Sequence, residues 1–519
     1  MRQSVVRLLS PALLALLVAV SGCAGTRPIP QQAPDVAPVA RAHSAELPPL
    51  FDDLERRSFD YFWDLGNPDN GLVPDRWPSK SFSSIAAVGF GLTTYGVGVE
   101  RGWISRQQAL QRTLVTLRFF ATAPQGGAGD GMTGHKGFFY HFLKMDSGAR
   151  DAGSELSTVD TTLLVAGILF SQSYFDRDSA GEREVRALAE SIYRRVDWAW
   201  AQARAPRIAM GWSPEKGMLG YDWQGYNEAL LVYILALGSP THPVGEDAYT
   251  AWTATYDRSW GTFYGQEHLG FPPLFGHQYS HVWIDFRGLQ DDYMRRRGID
   301  YFENSRRAVY SQRAYAIANP SKWIGYGKNV WGLTASDGPI DASFDYQGKP
   351  RLYRTYSARG AGSEYIIDDG TIAPTAAAAS LPFAPEIVIP AVTEMHRRYG
   401  KDIYRKYGFI DAFNPSFNYP VMPRHGKVVG GIWVDDDYIG IDQGPIVLMI
   451  ENYRSDFVWK VMRKNPYIRR GLQRAGFAGG WLGEPAVVGA ASVAIPAVGK
   501  EDRAFAAKAA PTSALAQMR

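Results

Sequence analysis

GWSPEKGMLGYDWQGYNEALLVYILALG, residues 211–238, joins a Gly-rich aromatic loop to an apolar helix, and this unit sets the plan of the chain. The loop carries Trp212, Tyr221, Trp223 and Tyr226 and delivers one carboxylate, Glu228, at the start of ALLVYIL. A run this apolar suits a helix buried in a protein core. Flat aromatic faces stack on the C–H faces of sugar rings. A carboxylate beside them can carry a proton to or from a glycosidic oxygen. The segment points to a carbohydrate-active enzyme.

The same alternation of helix and loop runs outward in both directions. Apolar spacing predicts helices over 50–65, 83–100, 104–121, 158–174, 181–203, 225–237, 245–256, 277–292, 298–317, 373–379, 384–399, 441–452 and 455–473. Aromatic loops separate them at 66–82, 122–156, 205–224, 259–276, 319–371 and 408–440, and loops of such length are usually functional. About a dozen helices with few alternating strands predict an all-α protein, an (α/α)6 barrel whose long aromatic-rich loops form the active-site cleft. An irregular helical array is the alternative, because no fixed-period repeat is visible.

The ends differ from this middle. Arg2 and Arg7 precede an apolar run from Leu8 to Val20, and Val20-Ser21-Gly22-Cys23 follows with the pattern of a bacterial lipobox. This predicts a lipoprotein signal peptide over 1–22, with Cys23 as the lipid attachment site. Residues 23–49 are a Pro-rich tether, residues 50–475 the catalytic domain, and 476–519 an Ala-rich extension. Ala24 after the cysteine suits the outer membrane, so the expectation is an envelope protein facing the periplasm, anchored by lipid without spanning.

Cys23 is the only cysteine, which excludes an intramolecular disulfide and a Cys-rich metal site. A net charge of +3 from 55 basic and 52 acidic residues, with no long basic block, argues against a nucleic-acid partner. Aromatics reach 13% of residues, in keeping with sugar stacking or with a large rigid core. There is no phosphate loop, no zinc-protease His-Glu-x-x-His and no G-x-S-x-G elbow. The glycines of AVGFGLTTYGVGVERG read as helix-packing positions.

Glycoside hydrolysis generally uses two carboxyls, one protonated and one ionised. Glu228 is the first choice because its loop is so aromatic; helix-dipole complementation would explain the charge alone. Glu155 and Asp160 lie in SELSTVDTTLLVAG, near Phe138-Phe139-Tyr140-His141-Phe142. Ser157 and Asp160 have capping-box spacing, which explains Asp160 structurally, whereas Glu155 has no such explanation. His277 and His281 share one helical face in FGHQYSHVWIDFRG, with Trp283 and Asp285 close by. A third and fourth metal ligand are not evident, so sugar contacts or structural hydrogen bonds are expected there, with no metal and no cofactor. Trp331 and Asp337 share NVWGLTASDGP, where Asp-Gly-Pro is also turn chemistry. Asp442 and Glu451, flanking GPIVLMI, read as buried structural carboxylates.

Several stretches together resemble the glucoamylase-like hydrolases: AAVGFGLTTYGVGVERGWI, SELSTVDTTLLVAG, GYNEALLVYILALGSP, QYSHVWIDFRG, NVWGLTASDGP, TIAPTAAAASLPFAPE and IDQGPIVLMIENYRS. The nearest resemblance is to glycoside hydrolase family 144, the bacterial β-1,2-glucan-degrading enzymes, over roughly residues 50–475. It implies an (α/α)6 barrel, inversion without a metal, and β-1,2-glucan or its oligosaccharides as substrate, cut internally or from an end. Carried onto this sequence, it implies Glu228 as acid or base, with Glu155 or Asp160 as partner. Tyr140, His141, Tyr221, Trp223, Tyr226, His277, His281, Trp283, Asp285, Trp331 and Asp337 are the expected sugar contacts. A transglycosylase and a non-catalytic glycan-binding lipoprotein are the competing readings, and the sequence leaves oligomeric state open.

Overall fold

Pro49 opens the first helix at a position where proline's missing N–H would have had no partner. From there the computed structural model describes residues 46–483, with fifteen α-helices joined by loops that pair into short antiparallel ladders. In chain order they are α1 (Pro49–Leu65), α2 (Ile85–Glu100), α3 (Arg106–Thr122), α4 (Thr158–Tyr174) and α5 (Ala180–Arg194). Next come α6 (Leu230–Gly238), α7 (Glu246–Thr253), α8 (Phe275–Trp283), α9 (Asp292–Arg297) and α10 (Tyr301–Ala318). The last are α11 (Pro374–Ala378), α12 (Pro385–Ile403), α13 (Gly440–Ser455), α14 (Phe457–Met462) and α15 (Pro466–Arg474).

Two kinds of helix alternate. α2, α4, α6, α8, α11 and most of α13 are buried on nearly every side. α1, α3, α5, α7, α10 and α12 bury one face and show the other to solvent. The buried helices pack on one another: α2 on α4 and α13, α6 on α4, and α8 and α11 on α13. The predicted mostly helical class is therefore present, and 158–174 is found to the residue.

The glycines of α2 act as the sequence suggests. A Cβ on Gly89 would sit 2.2 Å from the Leu163 carbonyl oxygen, and one on Gly167 would sit 2.1 Å from that of Gly89. α2 and α4 thus meet backbone to backbone, closer than any side chain permits.

Other boundaries move for local reasons. The predicted 455–473 helix breaks before Pro466, which has no N–H to continue it; Asn465 caps the new start by accepting from Tyr467 and Ile468. The predicted 277–292 helix stops at Trp283, and α9 begins afresh behind Asp291, which accepts from the Met294 N–H. The helix expected over 181–203 ends at Arg194, and Glu228 precedes α6 by two residues instead of lying in its first turn.

The packed unit also runs past residue 475. Ala478–Gly479 pairs with Leu289–Gln290, and the Trp481 indole donates to the Asp285 carbonyl at 2.8 Å. The expected signal peptide, Cys23, most of the expected tether and the stretch after Gly483 lie outside the described residues. None of the described helices is long and apolar enough to cross a membrane.

The long 319–371 loop is held by a buried ion pair. Arg359 donates to both oxygens of Asp369 at 2.8 and 2.7 Å, and to the carbonyls of Ser336, Arg354 and Thr355 at 2.6–3.0 Å. Tyr356 and Tyr365, both substantially exposed, stand on this loop.

Gly167→Ala must push α2 and α4 apart. We expect it to cost about 1–3 kcal/mol, the usual range for overpacking a core, read as a lower denaturation midpoint. Ala substitution at Gly102, which meets nothing within 4 Å but has a left-handed backbone, reports backbone strain alone and serves as comparison.

Candidate active site

The loops that lead into the buried helices converge their polar side chains. Arg76–Trp77 pairs with Tyr438–Ile439 ahead of α13, Ser83–Ser84 with Phe142–Leu143 ahead of α2, and Leu156–Ser157 with Gly211–Ser213 ahead of α4. Each ladder ends where a buried helix starts, so the residues at those starts are fixed in position.

At the head of α4, Ser157 accepts from the Asp160 N–H at 3.1 Å, and its hydroxyl donates to the Asp160 carboxylate at 2.5 Å. The helix is capped as the spacing predicts. The other half of the expected box, a side-chain bond back to the Ser157 N–H, is replaced by this direct contact. Asp160 and Glu155 then grip one imidazole: His141 Nδ1 lies 2.9 Å from Glu155 and Nε2 lies 3.4 Å from Asp160. Burial opposes charge on that ring, but Asp160, Glu155 and Asp75 outweigh it and raise the pKa to about 9. Burial likewise works against ionised Glu155, and the bond to His141 overcomes it, leaving its pKa below the usual value.

Glu228 stands apart from this ion-paired group. One of its oxygens, Oε2, is shielded from solvent and has no hydrogen-bond partner. Burial pushes its pKa up to about 7; its own N–H works the other way, and the charge of Asp160 adds to the rise. Its backbone is pinned, since the Ser280 hydroxyl of α8 donates to the Glu228 carbonyl at 3.1 Å.

A second acidic group gathers around Arg76. Arg76 Nη1 lies 2.5 Å from Asp337 and 3.9 Å from Asp437, while its Nε reaches Asp75 at 3.2 Å. Asp411 accepts from the Asp337 N–H at 2.7 Å. Single oxygens of Asp337, Asp411 and Asp435 lie within 4.8 Å of one another, a spacing that could accept a small cation. Asp411 and Asp435 are raised well above the usual range by burial and by their acidic neighbours. Asp442, at the start of α13, is also raised by burial; a hydrogen bond from Asp411 works against this, and its Oδ2 has no partner. Tyr279 links the two groups. Burial first, then the charges of Asp442, Glu228 and Asp160, holds its phenol well above its usual pKa.

Of the expected sugar contacts, His141 and Asp337 lie in these groups, and Tyr221 is about half exposed and free to stack. The others are built into the core. Tyr140 is fully buried with Arg150 over its ring. Trp223 and Trp283 spend their indole N–H groups on Thr158 and Thr93, at 2.9 and 3.0 Å. Tyr226 stacks on Tyr301, and Trp331 is enclosed. His277 and His281 are completely buried, and loss of water keeps both neutral, His281 at a pKa of about 3. Asp285 is ion-paired with Arg287 and Arg463. His277, His281 and Trp283 lie on α8, which its neighbours enclose, and the remainder stand in loops packed against the core.

Asp75, Arg76, Asp411, Asp435 and Asp437 were not legible one by one. The Asp435-Asp436-Asp437 run inside IWVDDDYIG was a usable signal, since two of its three acids are buried.

A buried carboxyl whose pKa is raised, near a group of ion-paired acids on a helical scaffold, suits the two-carboxyl chemistry of glycoside hydrolysis. The Glycoamylase family, whose model describes a glucoamylase domain, matches residues 220–466. An endo-β-1,2-glucanase from Chitinophaga pinensis, solved with sophorotriose and glucose, is similar at 30% identity and a TM-score of 0.70, over 83% of this chain and 98% of that one. An exo-β-1,2-glucooligosaccharide sophorohydrolase acting at the non-reducing end, from Parabacteroides distasonis, is 29% identical over 458 residues. That match takes in 82% of this chain, which spans 57% of the relative's length. An endo-β-1,2-glucanase from Talaromyces funiculosus, 12% identical with a TM-score of 0.57 over 82% of this chain and 89% of its own, shares the fold. The chain belongs to the glucoamylase-like hydrolases of the glycoside hydrolase family 144 type.

His141 gives a stability test. Its pKa is higher folded than unfolded, so its contribution is complete below about 6.5 and is lost as pH rises through about 9. Unfolding free energy should fall by on the order of 3 kcal/mol across that window, and His141→Gln should remove most of this slope.

Proposed function

We propose that this chain hydrolyses β-1,2-linked glucan with inversion, and that Glu228 is the general acid. The observation that carries this is the Glu228 carboxyl: Oε2 is unpartnered, and the group keeps its proton to near pH 7. An acid of that pKa donates efficiently at neutral pH. Its proton passes to the glycosidic oxygen as the C1–O bond breaks. A water attacks C1 from the opposite face and gives its own proton to a second carboxyl. The substrate reading is supported by relatives that act on β-1,2-glucan or its oligosaccharides. We further propose that the six enclosed helices form the inner ring, and the six one-faced helices the outer ring, of an (α/α)6 barrel.

Two carboxyls compete for the role of base. Asp160 is the choice favoured by sequence and by its charge acting on Glu228, yet both of its oxygens are engaged by Ser157 and His141. Asp442 keeps Oδ2 free and shares the surroundings of Tyr279. Glu155, ion-paired to His141, helps hold the wall that Asp160 completes.

Glu228→Gln should lower kcat by about 10²–10⁴-fold on linear β-1,2-glucan while retaining binding. In the wild type, kcat/KM should fall as pH rises through about 7, because the deprotonated acid cannot donate. Proton NMR should show the α-anomer forming first; first appearance of the β-anomer would exclude inversion. The base is whichever of Asp160→Asn and Asp442→Asn loses comparable turnover and recovers with azide.

We also propose that Cys23 carries a lipid anchor to the cell envelope, as residues 2–23 suggest. Radiolabelled palmitate should enter the expressed protein and fail to enter Cys23→Ser.

A further inference from the structure

A groove of about 520 Å³ opens beside the acidic wall, lined by Lys80, Ser81, Phe82, Lys144, Met145, Asp146 and Asp151. It uses none of the residues assigned above. Its size lies within the roughly 300–1,000 Å³ of small-ligand sites.

Three observations connect it to the catalytic centre. The His141 ring stacks on Phe142 with centroids 3.8 Å apart, and Phe142 meets Phe82 at 4.1 Å, so a row of rings leads from the wall into the groove. The backbone is continuous with the centre as well: the Asp75 N–H donates to the Phe82 carbonyl at 2.8 Å, and the Asp151 N–H to that of Phe142 at 3.0 Å. Finally, the Ser81 hydroxyl in this lining is shielded from solvent and has no partner.

The chemistry of the rim selects the ligand. Among the described residues Lys80, Lys144 and Asp151 form no side-chain ion pair, while Asp146 accepts from the Ser147 N–H at 2.6 Å and feels the charge of Lys144. Two ammonium and two carboxylate groups cancel, which gives no preference for an anion or a cation. They do offer separate donors and acceptors around an aromatic face. A neutral polyol with an apolar ring face satisfies all of them at once.

We propose that this groove is a distal subsite that binds glucose units of the same glucan chain whose linkage lies at Glu228. The inference rests on the hydrolase reading above and adds that the enzyme gains from substrates long enough to reach Phe82. Binding there positions the chain, and the groove's residues take no part in bond cleavage.

The test compares kcat/KM on a size series of linear β-1,2-gluco-oligosaccharides and on polymer, for wild type, Phe82→Ala and Lys144→Ala. Lys144 stands at the rim, so its variant remains informative if Phe82→Ala disturbs Phe142. In the wild type, kcat/KM should rise with chain length to a plateau. Each variant should lose at least about fivefold more on polymer than on the shortest oligosaccharide cleaved, with the loss in KM. An equal loss at all lengths, or none at any, would overturn the subsite. If the wild type cleaves no β-1,2-glucan, the hydrolase reading fails, and calorimetric titration of a long oligosaccharide then judges the groove alone. Weaker binding by Phe82→Ala supports the groove in that case; equal binding overturns it.

Discussion

The close approach of α2 and α4 is the constraint on which the rest of the molecule depends. Gly89 and Gly167 let the two backbones touch, and that contact fixes the spacing between the heads of both helices. The segment running from Asp75 through Phe82 leads into one head, and the Leu156–Ser157 strand, with Glu155 just before it, leads into the other, which carries Asp160. His141 can bridge Glu155 and Asp160 because it adjoins the Phe142–Leu143 strand, which is paired to the segment entering α2. A displacement of one helix by the width of a methyl group would therefore be felt in the ionisation of the site. Helix packing and the geometry of the acidic groups are coupled here through ordinary excluded volume.

The two acidic groups divide the electrostatic work. Around His141, Glu155 has a cationic partner that holds its pKa below the usual value. Around Arg76 there are more acids than one guanidinium can serve, so protons are retained and Asp411 and Asp435 are driven upward. Glu228 belongs to neither group. It is buried with one oxygen unspent, which is what a proton donor awaiting a substrate oxygen requires.

Much of this was legible in the sequence. The 158–174 helix, the Ser157 cap and the glycine packing of α2 followed from local pattern alone. His277, His281 and Trp283 read as sugar contacts or as structural hydrogen bonds; α8 is enclosed by its neighbours, and the His281 ring pairs with the Ser305 hydroxyl at 3.1 Å. Enclosure is a property of the neighbours, and no period in FGHQYSHVW encodes it. The group around Arg76 was illegible for a related reason, since it draws on positions 75, 337, 411, 435 and 442, which only the tertiary fold brings together.

The surplus of acid around Arg76 has a consequence for selectivity. A uronic acid or phosphorylated sugar approaching Glu228 would meet the negative potential of Asp75, Asp337 and Asp437, with one guanidinium already committed to them. Inside a low-dielectric cleft such repulsion is screened far less than at the surface. Uncharged sugars meet no such barrier. Carboxyls crowded around a single guanidinium thus weigh against an anionic guest more than against a neutral one.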